Sequence, residues 1–265
     1  MVIDQSNNLD AFNKLADQYD KYRPSYPDIL FQVLEVYLGK LRNEPYTLLD
    51  VGCGTGISTR KLYDFFGDKD EVIGLEPCED MRLCAQNSVT ENMRNIKFIT
   101  GRAEEIALEP NSVKCVLTAQ AIQWFEREKF YKEVNRILVD NGCLAILQNN
   151  RNWMENAFLE EYELILEKYN PDYNRGYRSI DFVKEVQELN LFKDILCMDY
   201  RWENKKTLEE FIGMASSSTK ANKIIQSQGL DKFREIISSL YKKHCDDEGN
   251  VNVTYKTELF LFRKR

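Results

Sequence analysis

The sequence predicts an α/β fold, a doubly wound and mostly parallel sheet, on three observations. Short apolar runs alternate with amphipathic segments, one apolar run passes straight into a glycine-rich turn, and an acidic residue ends the next run. Such alternation marks a parallel sheet covered by helices on both faces, whose ligand site lies at the carboxyl ends of its strands. Residues 46–51, 72–75, 96–100, 113–118 and 143–147 read as strands, with helices starting near Ile57, Cys78 and Arg127.

Two amphipathic helices precede this core. Leu9, Phe12, Leu15, Ala16 and Tyr19 share one helical face, Pro24 and Pro27 break the pattern, and Ile29, Leu30, Val33, Leu34, Tyr37 and Leu38 resume it. After Asn150 the pattern changes: residues 153–169 and 180–189 read as helices around a turn-rich stretch at 171–179. A strand at 195–202, helices at 208–214 and 230–243, a polar loop at 216–219 and a strand at 251–262 complete the chain. The expected organisation is an amino-terminal helical cover (1–45), a cofactor-binding core (46–150), a helical lid (151–190) and a carboxyl-terminal segment completing the sheet (191–265).

Composition narrows the function. The 265 residues carry 36 Lys and Arg against 43 Asp and Glu, a formal charge of -7, which disfavours nucleic acid as a partner. The apolar runs are too short to span a bilayer and the first residues lack a signal-peptide pattern, so no membrane role is expected and the cytoplasm is the expected location. Seven cysteines without Cys-x-x-Cys spacing read as small core residues, and the single histidine, His244, argues against a zinc site or a histidine-based triad. Glu160, Glu161 and Glu163 read as a solvated helix face. The pattern sets no oligomeric state.

The most informative stretch is Leu48-Leu49-Asp50-Val51-Gly52-Cys53-Gly54-Thr55-Gly56. Its glycines permit positive φ angles and close backbone approach, so that successive N–H groups are expected to face a ligand at the helix start. The spacing Asp-x-Gly-x-Gly-x-Gly departs from the dinucleotide pattern Gly-x-Gly-x-x-Gly, which ranks an NAD-dependent oxidoreductase far behind. Twenty residues past Gly56, Glu76 ends the next strand, where its carboxylate can accept from both hydroxyls of a ribose.

These residues resemble the first two motifs of class I S-adenosylmethionine-dependent methyltransferases, in particular the small-molecule group similar to trans-aconitate methyltransferase (methyltransferase domain 11). Gly101-Arg102-Ala103-Glu104 resembles that group's Gly-Asp-Ala-Glu, with Arg102 in place of aspartate. Thr118-Ala119-Gln120-Ala121-Ile122-Gln123-Trp124-Phe125 resembles its Ala-x-x-His-Trp-Phe, with Gln123 in place of histidine. Residues 136–146 match its helix, turn and fifth strand, Gly142 taking the turn, and the run from Phe12 through Tyr19, Tyr22, Arg23, Pro24, Tyr26 and Pro27 is similar to its opening.

The resemblance implies a Rossmann-like seven-stranded sheet with an antiparallel last strand, amino-terminal helices and a helical lid. It implies S-adenosylmethionine as cofactor. Asp50, Gly52, Cys53, Gly54 and Gly56 would form the floor, Glu76 and Pro77 the ribose end, and Met81, Arg102, Ala103 and Glu104 the adenine end. Ala119, Gln120 and Trp124 would flank the methionine part. Tyr22, Arg23, Tyr26, Gln123, Tyr177 and Arg178 are the candidates for a small-molecule acceptor, a carboxylate fitting the arginines, with Tyr173 and Arg175 nearby. No general base is apparent, since Gln123 cannot serve as one and an ionised carboxylate needs none. The departures at Arg102 and Gln123 keep open a second reading, a noncatalytic cofactor-binding or interaction protein on the same fold.

Overall fold

A computed structural model describes residues 16–39 and 46–265. The amino-terminal positions Leu9, Phe12 and Leu15 lie outside the described residues. The chain runs α1 (Ala16–Tyr22), α2 (Asp28–Leu38), β1 (Thr47–Val51), α3 (Ile57–Phe66), β2 (Glu71–Leu75), α4 (Glu79–Asn87), β3 (Ile96–Ile99), β4 (Val113–Ala119), α5 (Arg127–Ile137) and β5 (Leu138–Arg151). It continues through α6 (Ala157–Tyr169), α7 (Phe182–Leu189), β6 (Phe192–Lys206), α8 (Leu208–Ser216), α9 (Thr219–Gln228), α10 (Leu230–His244) and β7 (Val251–Lys264).

The seven strands form one sheet in the order β3-β2-β1-β4-β5-β7-β6. Strands β1 to β5 pair in parallel, and β7 is antiparallel to both its neighbours, in agreement with the expected topology. The order reverses between β1 and β4, and a ligand crevice opens where strands diverge at such a switch point. β1 and β4 are buried almost throughout, as strands covered on both faces must be.

One face of the sheet carries α5 and α7 through Phe130, Val134, Ile137, Phe182 and Val186, and the other carries α2 and α3 through Phe31, Leu34, Leu62 and Phe66. A third apolar cluster joins Phe158 and Tyr162 of α6 to Phe211 of α8, Ile224 of α9 and Phe233 of α10, and to Tyr255 of β7. This helical cap therefore draws on chain expected to complete the sheet as well as on the expected lid. α7 leaves the lid for the sheet, tied there by Arg127, whose guanidinium donates to Glu185 at 2.8–3.0 Å.

Four local expectations change. The loop foreseen at 216–219 instead starts α9: the Ser218 side chain accepts from the Ala221 N–H at 3.1 Å and caps it. Gly142 does not make the turn before the fifth strand, because Asn141 takes the left-handed conformation (φ 58°) inside a bulge of β5. Gly142 is needed for space, as a Cβ there would lie 2.9 Å from the Val139 carbonyl. Glu163 is not solvated: it is buried, its carboxylate accepting from Arg151 at 2.7 Å and from the Tyr173 hydroxyl at 2.6 Å. The two cysteines Cys197 and Cys245 are exposed rather than core.

Candidate active site

A cavity of about 880 Å³ opens beyond the carboxyl ends of β1, β2 and β4. That volume stands near the upper end of the roughly 300–1,000 Å³ usual for small-molecule sites, so it has room for more than one small molecule.

Its floor is the turn after β1. Gly52 and Gly54 take φ angles of +71° and +55°, which any other residue adopts only under strain. They serve different ends. A Cβ on Gly52 would lie 2.6 Å from Cβ of Ala121, so this glycine lets the loop after β4 close on the turn, whereas a Cβ on Gly54 would meet no atom within 4 Å and would project into open space.

The backbone N–H groups of the turn are not aimed at a ligand as the sequence suggested. Those of Gly52 and Cys53 donate to the Leu75 carbonyl at 2.9 and 3.1 Å, and that of Gly56 donates to the Cys53 carbonyl. The Gly54 N–H donates to Oε2 of Glu76 at 2.9 Å, while Oε1 accepts from the Cys78 N–H at 2.9 Å. The turn is a rigid floor tied to the end of β2, with these donors already committed and no cradle for a phosphate. Burial raises the Glu76 pKa, and the two N–H bonds and Arg82 oppose it.

Asp50 and Gly56 support the floor from behind and do not line the cavity. Asp50 is fully buried and accepts from the Ser58 and Thr59 hydroxyls, each at 2.7 Å, which pins the first turn of α3. Burial pushes its pKa up to about 6 despite those bonds. The other carboxylate oxygen, Oδ1, has no partner among the described residues. Gly56 opens α3 over the Phe98 ring.

Cys53, Glu76, Pro77 and Met81 line one side of the cavity, and Arg102, Ala103 and Glu104 the next. Met81 and Ala103 are buried. Arg102 is half exposed, 3.9 Å from Glu104, whose Oε1 accepts from the Glu126 N–H at 2.8 Å.

Ala119, Gln120, Gln123 and Trp124 form the facing wall. Gln120 has φ +58°, and its carbonyl accepts from Nε2 of Gln123 at 2.7 Å. Among the described residues, Nε2 of Gln120 and Oε1 of Gln123 are buried without a hydrogen-bond partner. Buried polar atoms carry a cost unless something bonds them.

Of the acceptor candidates, Arg23, Tyr26, Tyr177 and Arg178 line the cavity. Tyr22 does not: its ring packs against Gly213 of α8, within the cap. Arg23 donates to Oγ of Ser217 at 2.9 Å and lies 4.8 Å from the Tyr19 ring. Arg178 donates to Oδ1 of Asn150 at 3.0 Å and lies 5.0 Å from the Tyr177 ring, and its buried Nε has no partner among the described residues. Burial raises the Tyr26 pKa well above its ordinary value and keeps the phenol protonated.

Tyr173 and Arg175 also reach the cavity, yet each already has an anionic partner: Tyr173 donates to Glu163, and Arg175 to Glu167 at 2.8 Å. Sequence reasoning missed Asn149, Asn150, Arg151 and Lys220 on the cavity wall. The polar run Gln148-Asn149-Asn150-Arg151-Asn152, abruptly ending an apolar strand, was the available signal for the first three.

The span 49–146 matches the model of the methyltransferase domain family. With the seven-stranded topology, this match supports S-adenosylmethionine-dependent methyltransferase activity on a class I fold. It is 26% identical to a Dictyostelium discoideum protein named as a methyltransferase, over 96% of this chain and 95% of the relative. A probable S-adenosylmethionine-dependent methyltransferase of Saccharomyces cerevisiae is 32% identical over 131 residues, 48% of this chain and 43% of that one. Among solved structures, one described as a type II methyltransferase from Anaeromyxobacter dehalogenans superposes with a TM-score of 0.67 at 23% identity, covering 91% of this chain and 98% of the other. No helix among the described residues is long and apolar enough to cross a membrane.

Proposed function

We propose that the protein transfers the methyl group of S-adenosylmethionine to a small acidic acceptor, a carboxylate held by Arg23 and Arg178. The observation that carries this reading is a difference among cavity cations. Arg151 and Arg175 are neutralised by Glu163 and Glu167, whereas Arg23 and Arg178 have no carboxylate partner among the described residues. A guanidinium facing a cavity with donors to spare suits the planar geometry of a carboxylate.

The residues present fit the cofactor. Open space over Gly54 leaves the floor accessible, Glu76 keeps lone pairs free after accepting two N–H bonds, and the orphaned Gln120 and Gln123 side-chain atoms offer a donor and an acceptor. In this reading Glu76 holds the ribose hydroxyls, Met81 and Ala103 flank the adenine, and the Ala119–Trp124 loop flanks the methionine part. When bound, the cofactor supplies an electrophilic methyl group on a sulfonium.

The chain's own contribution is alignment and exclusion of water. Fixing an acceptor oxygen against a bound electrophile converts an encounter into a positioned reaction, which can lower the barrier by several kcal/mol. Arg23, held by Ser217 of the cap, and Arg178, held by Asn150 at the end of β5, present the acceptor from opposite elements. An ionised carboxylate is already the nucleophile, so no proton has to be removed.

The test is a methyl-labelled cofactor incubated with a panel of small mono-, di- and tricarboxylic acids beside their amides. Label recovered as a base-labile ester is the expected result. Label recovered only on amines or phenols, or on no acceptor, would count against an acidic substrate.

A further inference from the structure

We propose that Lys220 is a specificity-determining anchor for an anionic group of the acceptor, carboxylate or phosphate; this rests on the cavity being the acceptor site of a methyltransferase. Lys220 stands in the first turn of α9 and lines the cavity. Its ammonium lies 4.8 Å from the Tyr177 ring centroid, 5.6 Å from that of Trp124 and 5.9 Å from that of Tyr173. The rings come from the loop after β4 and from the stretch between α6 and α7, so two separate parts of the chain converge on one cation of a third.

Among the described residues Lys220 has no carboxylate partner, whereas Lys223, one turn along the same helix, pairs with Asp172 at 3.4 Å. Aromatic faces attract a cation without neutralising it. A partly desolvated ammonium in such a box keeps its charge available, and an arriving anion offsets the cost of its burial. Arg178 lies 5.0 Å from the same Tyr177 ring, so two cations without carboxylate partners flank one tyrosine at the cavity wall.

The local electrostatics supply a readout. Burial lowers the Lys220 pKa, and the positive charges of Lys223 and Arg178 lower it further. The groups facing it are Arg178, Tyr173 and Tyr177 from the stretch between α6 and α7, with Glu163 engaged by Tyr173, and Lys223 of α9, paired with Asp172 from that same stretch; Trp124 and Gln123 bring no titratable group. An anion beside the ammonium raises its pKa again, so at alkaline pH binding draws in a proton.

The experiment uses the full chain saturated with S-adenosylhomocysteine. Tricarballylate, glutarate and inorganic phosphate are titrated in by calorimetry near pH 9, in two buffers of different ionisation enthalpy, for wild type, Lys220→Met and Lys220→Arg. The expected result is that at least one anion binds the wild type with proton uptake. Lys220→Met should weaken that binding by roughly ten- to hundredfold and abolish the uptake. Lys220→Arg should restore most of the affinity without uptake, since arginine does not titrate there. Which probe binds separates carboxylate from phosphate.

Equal S-adenosylhomocysteine affinity in all three proteins shows the cofactor site intact; its loss in Lys220→Met would assign the residue to the fold and overturn the proposal. Wild-type affinity and uptake in Lys220→Met would overturn the role of Lys220 while leaving an acidic acceptor standing. If no probe binds the wild type, the acidic acceptor falls and Lys220 with it.

Discussion

The backbone N–H of Gly54 donates to the Glu76 carboxylate at 2.9 Å, tying the turn after β1 to the end of β2. Both Glu76 oxygens are acceptors, since Oε1 takes the Cys78 N–H. Glu76→Gln keeps the shape but sets an amide donor against one of these donors. We expect S-adenosylhomocysteine affinity to fall by roughly ten- to hundredfold, the cost of losing a hydrogen bond to a buried charge, with the circular dichroism spectrum unchanged. Titration calorimetry on both proteins checks it.

Gly52 and Gly54 should respond differently to alanine. Gly54→Ala meets only backbone strain and should cost about 1–2 kcal/mol of stability. Gly52→Ala adds a collision with Ala121 at 2.6 Å and should cost roughly 2–4 kcal/mol. Urea denaturation ranks them, and an equal loss would remove the distinction between a floor glycine and a packing glycine.

Asp50 makes stability depend on pH with a definite sign. Its folded pKa is pushed up to about 6 from 3.8, so between those values the folded state binds more protons than the unfolded one. The stability that Asp50 contributes is present at low pH and is lost as pH rises through about 6, by up to about 3 kcal/mol. Asp50→Asn retains an oxygen for the Ser58 and Thr59 hydroxyls and carries no charge. Its melting temperature should gain on that of the wild type between pH 4 and pH 8; a constant gap would contradict the assignment.

Arg151 and Glu163 form a largely buried ion pair, with side chains 20% and 3% exposed. Removing one partner strands the other charge. Glu163→Ala should therefore destabilise by roughly 3–5 kcal/mol, far more than Glu160→Ala on the exposed side of α6. Paired thermal melts of the two variants would show it, and similar melting temperatures would refute the buried pair.

The strands and the cofactor turn were legible because their signals are local. Buried parallel strands must be apolar runs, and the tight turn after β1 requires its glycines. Glu76 could be placed because a strand end fixes where its side chain emerges. Glu163 was misjudged for lack of a local cue: its acidic neighbours suggested solvent, while Arg151 and Tyr173 reach it only through the tertiary fold. Lys220 was missed for a similar reason, since its three rings are brought to it by two stretches of chain distant in sequence. α9 was hidden in a serine run that reads equally as a loop or as a helix cap, and only the Ser218 to Ala221 bond decides.

That the floor between Gly54 and Glu76 is the cofactor site is tested most directly by calorimetry of S-adenosylhomocysteine and NAD on the wild type and Gly54→Arg. An arginine there would project into the open space above the floor. The account predicts one-to-one binding of S-adenosylhomocysteine to the wild type, its loss in Gly54→Arg, and no binding of NAD. Undiminished S-adenosylhomocysteine binding in Gly54→Arg, or tighter binding of NAD, would contradict it.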